Sequence, residues 1–116
     1  MKHKVVYNNC FGGFSLSKEA GQWLLDHNIE DPYKHDIEQS LHWIEEDPVL
    51  KSVYSRIPRH HPLLVQCVEE LREAANGECA ELAIEEIYTD HYRITEYDGN
   101  ESVETSDTIN WVSIEW

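Results

Sequence analysis

Pro58–Gly77, PRHHPLLVQCVEELREAANG, is the clearest helix in the chain and the stretch that most constrains its fold. Leu64, Cys67, Val68, Leu71 and Ala75 recur at helical spacing and form one apolar stripe that needs something to pack against. Glu69, Glu70, Arg72 and Glu73 fall on the opposite, wetted side. Pro62 suits the first helical turn, where its missing N–H is no loss. Gly77 is expected in the left-handed conformation that closes a helix.

The sequence around this helix changes period. Lys4–Tyr7 is a short β-branched and aromatic run, read as a first strand that enters a turn-rich loop, Asn8–Phe14, holding Gly12 and Gly13. Ser17 is placed to cap a helix over Lys18–His27, with Ala20, Trp23, Leu24 and His27 inward. Asp36 is expected to cap a second helix reaching Glu46, with Ile37, Leu41 and Ile44 inward. Asp47-Pro48 repeats the signal for a short helix carrying Val49, Leu50, Val53, Tyr54 and Ile57. Residues 30–56 have turns at both ends and read as a helical insertion on a smaller core.

After Gly77, Ala80, Leu82 and Ile84 alternate with Glu81, Ala83 and Glu85, the pattern of a half-buried strand. Ile87 is out of phase and marks a bulge or the strand's end. Two further strands flank Asp98-Gly99-Asn100, a hairpin signal, and Ile109–Trp116 reads as a last strand. The sum is a single α+β domain: a mainly antiparallel sheet, made of the N-terminal strand and three or four C-terminal strands, with helices packed on one face.

Charge is the strongest compositional fact. The 116 residues carry 9 basic and 23 acidic side chains, a net −14. Residues 1–75 hold 8 Lys/Arg and 12 Asp/Glu, a net −4, whereas residues 76–116 hold only Arg93 and 11 acids, a net −10. Such a surface repels phosphates, so direct nucleic-acid binding is not expected; basic protein surfaces are the matching partners. No apolar run approaches membrane-spanning length, and the N-terminal residues are too quickly polar for a signal peptide. Three cysteines without zinc spacing argue against a disulfide framework. A cytoplasmic protein is expected, with no membrane partner and no cofactor.

Three constellations can carry chemistry. Gly12 and Gly13 between strand and helix, with Arg56, Arg59 and His60 beside the main helix's N-terminus, make a candidate anion pocket for a phosphorylated ligand. No Lys follows the glycines, as a phosphate loop requires. Cys10 with His60 or His61, oriented by Asp98 or Glu101, has the residue types of a thiol nucleophile, its base and its orienter; a buried structural Cys reads the same. Glu81, Glu85, Glu86, Glu96, Asp98, Glu101 and Glu104 form an acidic array that can occupy a groove normally tracking a phosphate backbone, anchored by Tyr92, Tyr97 or Trp111. Glu38, His42 and Glu45 share a helix face, as an ordinary solvated Glu–His face also would, and no metal is expected.

Asn8-x-Cys10-Phe11-Gly12-Gly13-Phe14, Ile57-Pro58-Arg59-His60-x-Pro62 and Glu96-Tyr97-Asp98-Gly99-x-Glu101-Ser102-Val103 together resemble an uncharacterised family of small phage and viral accessory proteins. The resemblance covers both ends of the chain and not roughly Glu30–Arg56. It implies a viral accessory protein, in the host cytoplasm, without implying an activity. Family members tend to have Asp where this chain has His61, and His is the poorer cap. Joined to the charge, the resemblance gives a binding protein that inhibits a host nucleic-acid-handling or defence protein. A binder of, or enzyme on, a phosphorylated ligand is the alternative.

Overall fold

The computed structural model describes residues 2–47, 49, 52–89 and 91–105. In chain order these form β1 (His3–Asn8), α1 (Lys18–Asp26), α2 (Tyr33–Glu46), α3 (Pro62–Leu71), a 3-10 turn (Arg72–Ala75), β2 (Leu82–Ile87), β3 (Arg93–Tyr97) and β4 (Asn100–Glu104). The architecture is α+β. The strands form two separate antiparallel ribbons, β1–β2 and β3–β4, in place of one sheet. The strand read at Ile109–Trp116 lies outside the described residues.

Helix α1 starts where its cap predicts: the Ser17 hydroxyl accepts from the Ala20 N–H at 3.0 Å. Ala20 and Leu24 are buried as expected, but His27 is exposed, its ring stacked on Trp23 with centroids 3.6 Å apart. Helix α3 buries Leu64, Cys67 and Val68, and Glu69 and Glu70 face solvent. It ends at Leu71, before Gly77, with Arg72 taking the positive φ of 53°. Gly77 is required for another reason. It crosses the Ser15 backbone, donating its N–H to the Ser15 carbonyl at 3.1 Å, and a Cβ there would overlap the Ser15 side chain.

That crossing is the centre of the core. Leu16, 1% exposed, exchanges both backbone hydrogen bonds with Val53 on one side and bridges Asn76 on the other. Residues 52–58 are therefore extended, and the short helix expected after Asp47 is absent among them; Pro48, Leu50 and Lys51 lie outside the described residues. Tyr54, expected inward, is 63% exposed. Ile37 of α2 and Val53 are both fully buried in the main cluster with Leu16, Leu24 and Leu64. Segment 30–56 is thus part of the core. Each such side chain contributes about 1.5–3 kcal/mol on burial.

In the β1–β2 ribbon Val6 pairs with Ile84 and Val5 with Glu85, in continuous register to His3 opposite Ile87. Ile87 ends the strand, and no bulge interrupts it. The β3–β4 hairpin closes through Asp98 and Gly99 alone, with φ of 52° and 87°, the left-handed pair a two-residue turn between right-twisted strands needs.

If segment 30–56 shares the core, Ile37→Ala lowers global stability by about 2–5 kcal/mol in one cooperative denaturant transition. A separate early transition of α2, with the remainder unaffected, is the contrary result.

Candidate functional site

The residues expected to hold an anion are drawn together in part, and the anion they hold is the protein's own. Arg59 donates through both terminal nitrogens to the Glu101 carboxylate, at 2.5 and 2.9 Å, and its guanidinium carbon lies 3.6 Å from the Phe14 ring centroid. Glu101 is 7% exposed and also accepts from the Asn8 backbone N–H at 2.9 Å. Asn8, 0% exposed, completes the node. Its side-chain amide donates to the Cys10 and Gly99 carbonyls, both at 2.7 Å, and its side-chain oxygen accepts from the Glu81 N–H at 2.8 Å. One buried asparagine thereby joins both ribbons to the glycine loop.

Gly12 and Gly13 serve that junction. The Gly12 N–H donates to the Asp98 carbonyl at 3.2 Å, so the loop grips the hairpin turn. A Cβ on Gly99 would overlap the Gly12 and Gly13 backbone, which is how closely the two turns pack. Gly12, Gly13 and Arg59 therefore converge on the hairpin, with Glu101 in the position expected for a ligand's anion. Arg56 is held elsewhere. Its Nε and Nη2 donate to Asp36 at 3.0 and 2.9 Å, and its backbone N–H donates to the same carboxylate at 2.9 Å. Asp36, expected as a helix cap, lies inside α2 and braces the extended 52–58 segment.

His60 takes Tyr92 as its partner, Nδ1 to hydroxyl at 2.6 Å, so Tyr92 is half-buried rather than an exposed anchor. His61 does cap α3: Nδ1 accepts from the Leu63 N–H at 3.1 Å while Nε2 contacts Glu30 at 2.9 Å. A neutral ring with the proton on Nε2 meets both contacts. Cys10 Sγ faces the Phe11 carbonyl at 3.4 Å, His60 and His61 take Tyr92 and Glu30, and Glu101 takes Arg59, so among the described residues these groups form no thiol–imidazole–carboxylate relay. Cys67 is core, and burial pushes its thiol up to about 12. Among the described residues no cluster of His, Cys, Asp and Glu fits a metal; His42 turns to Glu46 at 3.4 Å.

The acidic array divides between the two ribbons. Glu101 is removed from it by burial, Glu104 pairs with Arg93 at 3.0 Å, and Glu86 lies 3.3 Å from Lys2. Glu81, Glu85, Glu96 and Asp98 remain exposed. Beside the last two, Phe11 and Tyr97 stand 60% and 74% exposed and pack edge to face with centroids 6.5 Å apart. The exposure of Tyr97 was foreseeable; that of Phe11 was not, because an aromatic beside Gly-Gly reads as ring packing. Trp111 lies outside the described residues. A further groove, of about 570 Å³ between α2 and the extended segment, has Trp43 and Tyr54 at its sides. Trp43 lying off the apolar stripe of α2 was its only sequence signal.

Comparison with protein-family models, curated proteins and solved structures finds no match. No helix of the described residues is long and apolar enough to cross a membrane.

The Arg56 guanidinium, with the Arg56 and Ser55 donors, holds the Asp36 carboxyl at about 2, below its ordinary 3.8. A folded-state value below the unfolded one contributes stability that is present above the unfolded value and lost as pH falls toward 2. The stability difference between wild type and Asp36→Asn should accordingly be widest near neutrality and narrow below about pH 4. Denaturant titrations across that range showing a constant difference would contradict this.

Proposed function

We propose that this is a small acidic viral accessory protein that acts by binding, and that it inhibits a host nucleic-acid-handling or defence protein through that protein's basic surface. The motif resemblance and the net −10 of residues 76–116 support the setting. The observation that carries the binding surface is the Phe11–Tyr97 pair, two large rings left exposed beside Glu96 and Asp98 at the hairpin tip.

A partner's lysine or arginine is attracted to an aromatic face and to a carboxylate alike. The tip supplies both. The Glu96 carboxylate is itself positioned, accepting the Gly99 N–H at 2.7 Å, and the hairpin is anchored beneath by Glu101 and Asn8. A rigid tip lowers the ordering cost of association, and aromatic anchors ringed by charge are the usual energetic centres of interfaces. The phosphorylated-ligand alternative is less well supported, because Arg59, Arg56 and His60 already have internal partners and Gly12 holds the turn.

The test is retention of host proteins on the immobilised chain at low and raised salt, repeated with Phe11→Ala/Tyr97→Ala and with Glu96→Gln/Asp98→Asn. Asn tolerates the positive φ at position 98, and Gln keeps an acceptor for Gly99. A stoichiometric basic partner released by salt, its affinity reduced about tenfold or more in each double variant, is expected. Unchanged affinity in both folded variants would overturn the assignment.

A further inference from the structure

The hydrogen-bond phase of the β1–β2 ribbon can be read from its end. Asn9 N–H donates to the Glu81 carbonyl at 2.8 Å, so Tyr7–Ala83, Val5–Glu85 and His3–Ile87 are the bonded pairs that follow. The intervening residues turn their backbone groups outward. On β1 that outward row is occupied: the Val6 N–H donates to Arg59 and the Asn8 N–H to Glu101. On β2 the first outward residue, Leu82, donates to the Asn76 side chain at 2.9 Å. Ile84 and Glu86 come next. Among the described residues no strand pairs with this edge.

The two faces beside that edge differ in chemistry. Glu81, Ala83 and Glu85 project on one side, and both glutamates are exposed. Leu82, Ile84 and Glu86 project on the other, and Leu82 and Ile84 line a groove of about 810 Å³ with Val68, bordered by the charged Arg72, Glu73 and Glu81. An extended strand laid against β2 would therefore meet the Glu81 and Glu85 carboxylates with one set of alternate side chains, and with the other the Leu82, Ile84 and Val68 side chains inside a groove of mixed polarity.

We propose that the outer edge of β2 is a strand-addition site for an extended segment alternating basic and apolar residues. Its backbone pairs with Ile84 and Glu86, its basic side chains lie beside Glu81 and Glu85, and its apolar side chains enter the groove beside Ile84 and Val68. Charge complementarity selects this occupant: edge glutamates repel acidic strands and would be left desolvated without a counter-charge against neutral ones, which is how an open edge avoids indiscriminate pairing. The proposal rests on the reading that the protein binds basic partners, and it supplies a recognition mode for a segment rather than a folded surface.

The experiment is an amide-resolved NMR and hydrogen-exchange titration of the full chain with a short synthetic peptide alternating lysine and valine. Two controls carry N-methyl groups on one or the other alternate set of amides. In the free protein the Ile84 and Glu86 amides should exchange faster than those of Ala83 and Glu85. The peptide should slow them and shift them, one methylation phase should abolish this while the other does not, and Glu81→Lys/Glu85→Lys should weaken binding about tenfold or more. Slow exchange at Ile84 and Glu86 before peptide is added would mean the edge is already covered, and would overturn the proposal. Shifts confined to the Phe11–Tyr97 tip, or binding indifferent to both methylations, would overturn it while leaving the acidic-binding reading standing. No binding of the peptide, while a salt-released partner is still retained through the tip, would do the same.

Discussion

Glu101 accepts from an arginine 42 residues away and from a backbone amide 93 residues away, and it does so almost wholly removed from water. A carboxylate in that position is tolerable only when its charge is met and its lone pairs are filled. Arg59 meets the charge through a two-pronged contact, and the Asn8 N–H fills a further site. Asn8 can serve because its own side chain is saturated by Cys10, Gly99 and Glu81, so nothing polar at the node is left without a partner. Two short ribbons, each marginal alone, are thereby held as one body. The start of α3 is fixed to them by Arg59, whose carbonyl also takes the Val6 N–H.

The node bears directly on what the surface can do. A cluster containing Arg56 and Arg59 looks like a free cation site, yet Asp36 and Glu101 pair with both guanidinium groups, Arg56 at the surface and Arg59 partly buried. Cations held this way do not offset the exposed carboxylates of the hairpin tip and β2 when a partner approaches. Each pairing neutralises one cation with one carboxylate, so the net negative charge stays with the exposed carboxylates, and an aromatic pair stands beside those of the hairpin tip.

Local signals in the sequence were accurate where the physics is local. The Ser17 cap, Pro62 in the first turn of α3, the stripe through Leu64, Cys67 and Val68, and the Asp98-Gly99 turn each depend on neighbours a few residues away. Long-range pairing left little trace. Asp36 carries the composition of a cap and serves instead as the counter-ion of Arg56, 20 residues on. Glu101 sits in an acidic strand and differs from its neighbours only in facing Arg59. The extended run through Val53 looked helical because its apolar residues suit either period; Leu16 decides it by offering both backbone hydrogen bonds. His61 escaped because a ring nitrogen replaces the usual capping oxygen.

A double-mutant cycle over Arg59→Met and Glu101→Gln most directly tests whether this node holds the fold together. Methionine keeps an apolar stem against Phe14, and glutamine keeps an acceptor for Asn8, so the cycle isolates the ion pair. Arg59→Met alone should cost about 3 kcal/mol, since it strands a buried carboxylate, and far less once Glu101 is Gln, for a coupling of about 2 kcal/mol or more. A coupling below about 0.5 kcal/mol, the additive behaviour of independent sites, would contradict it.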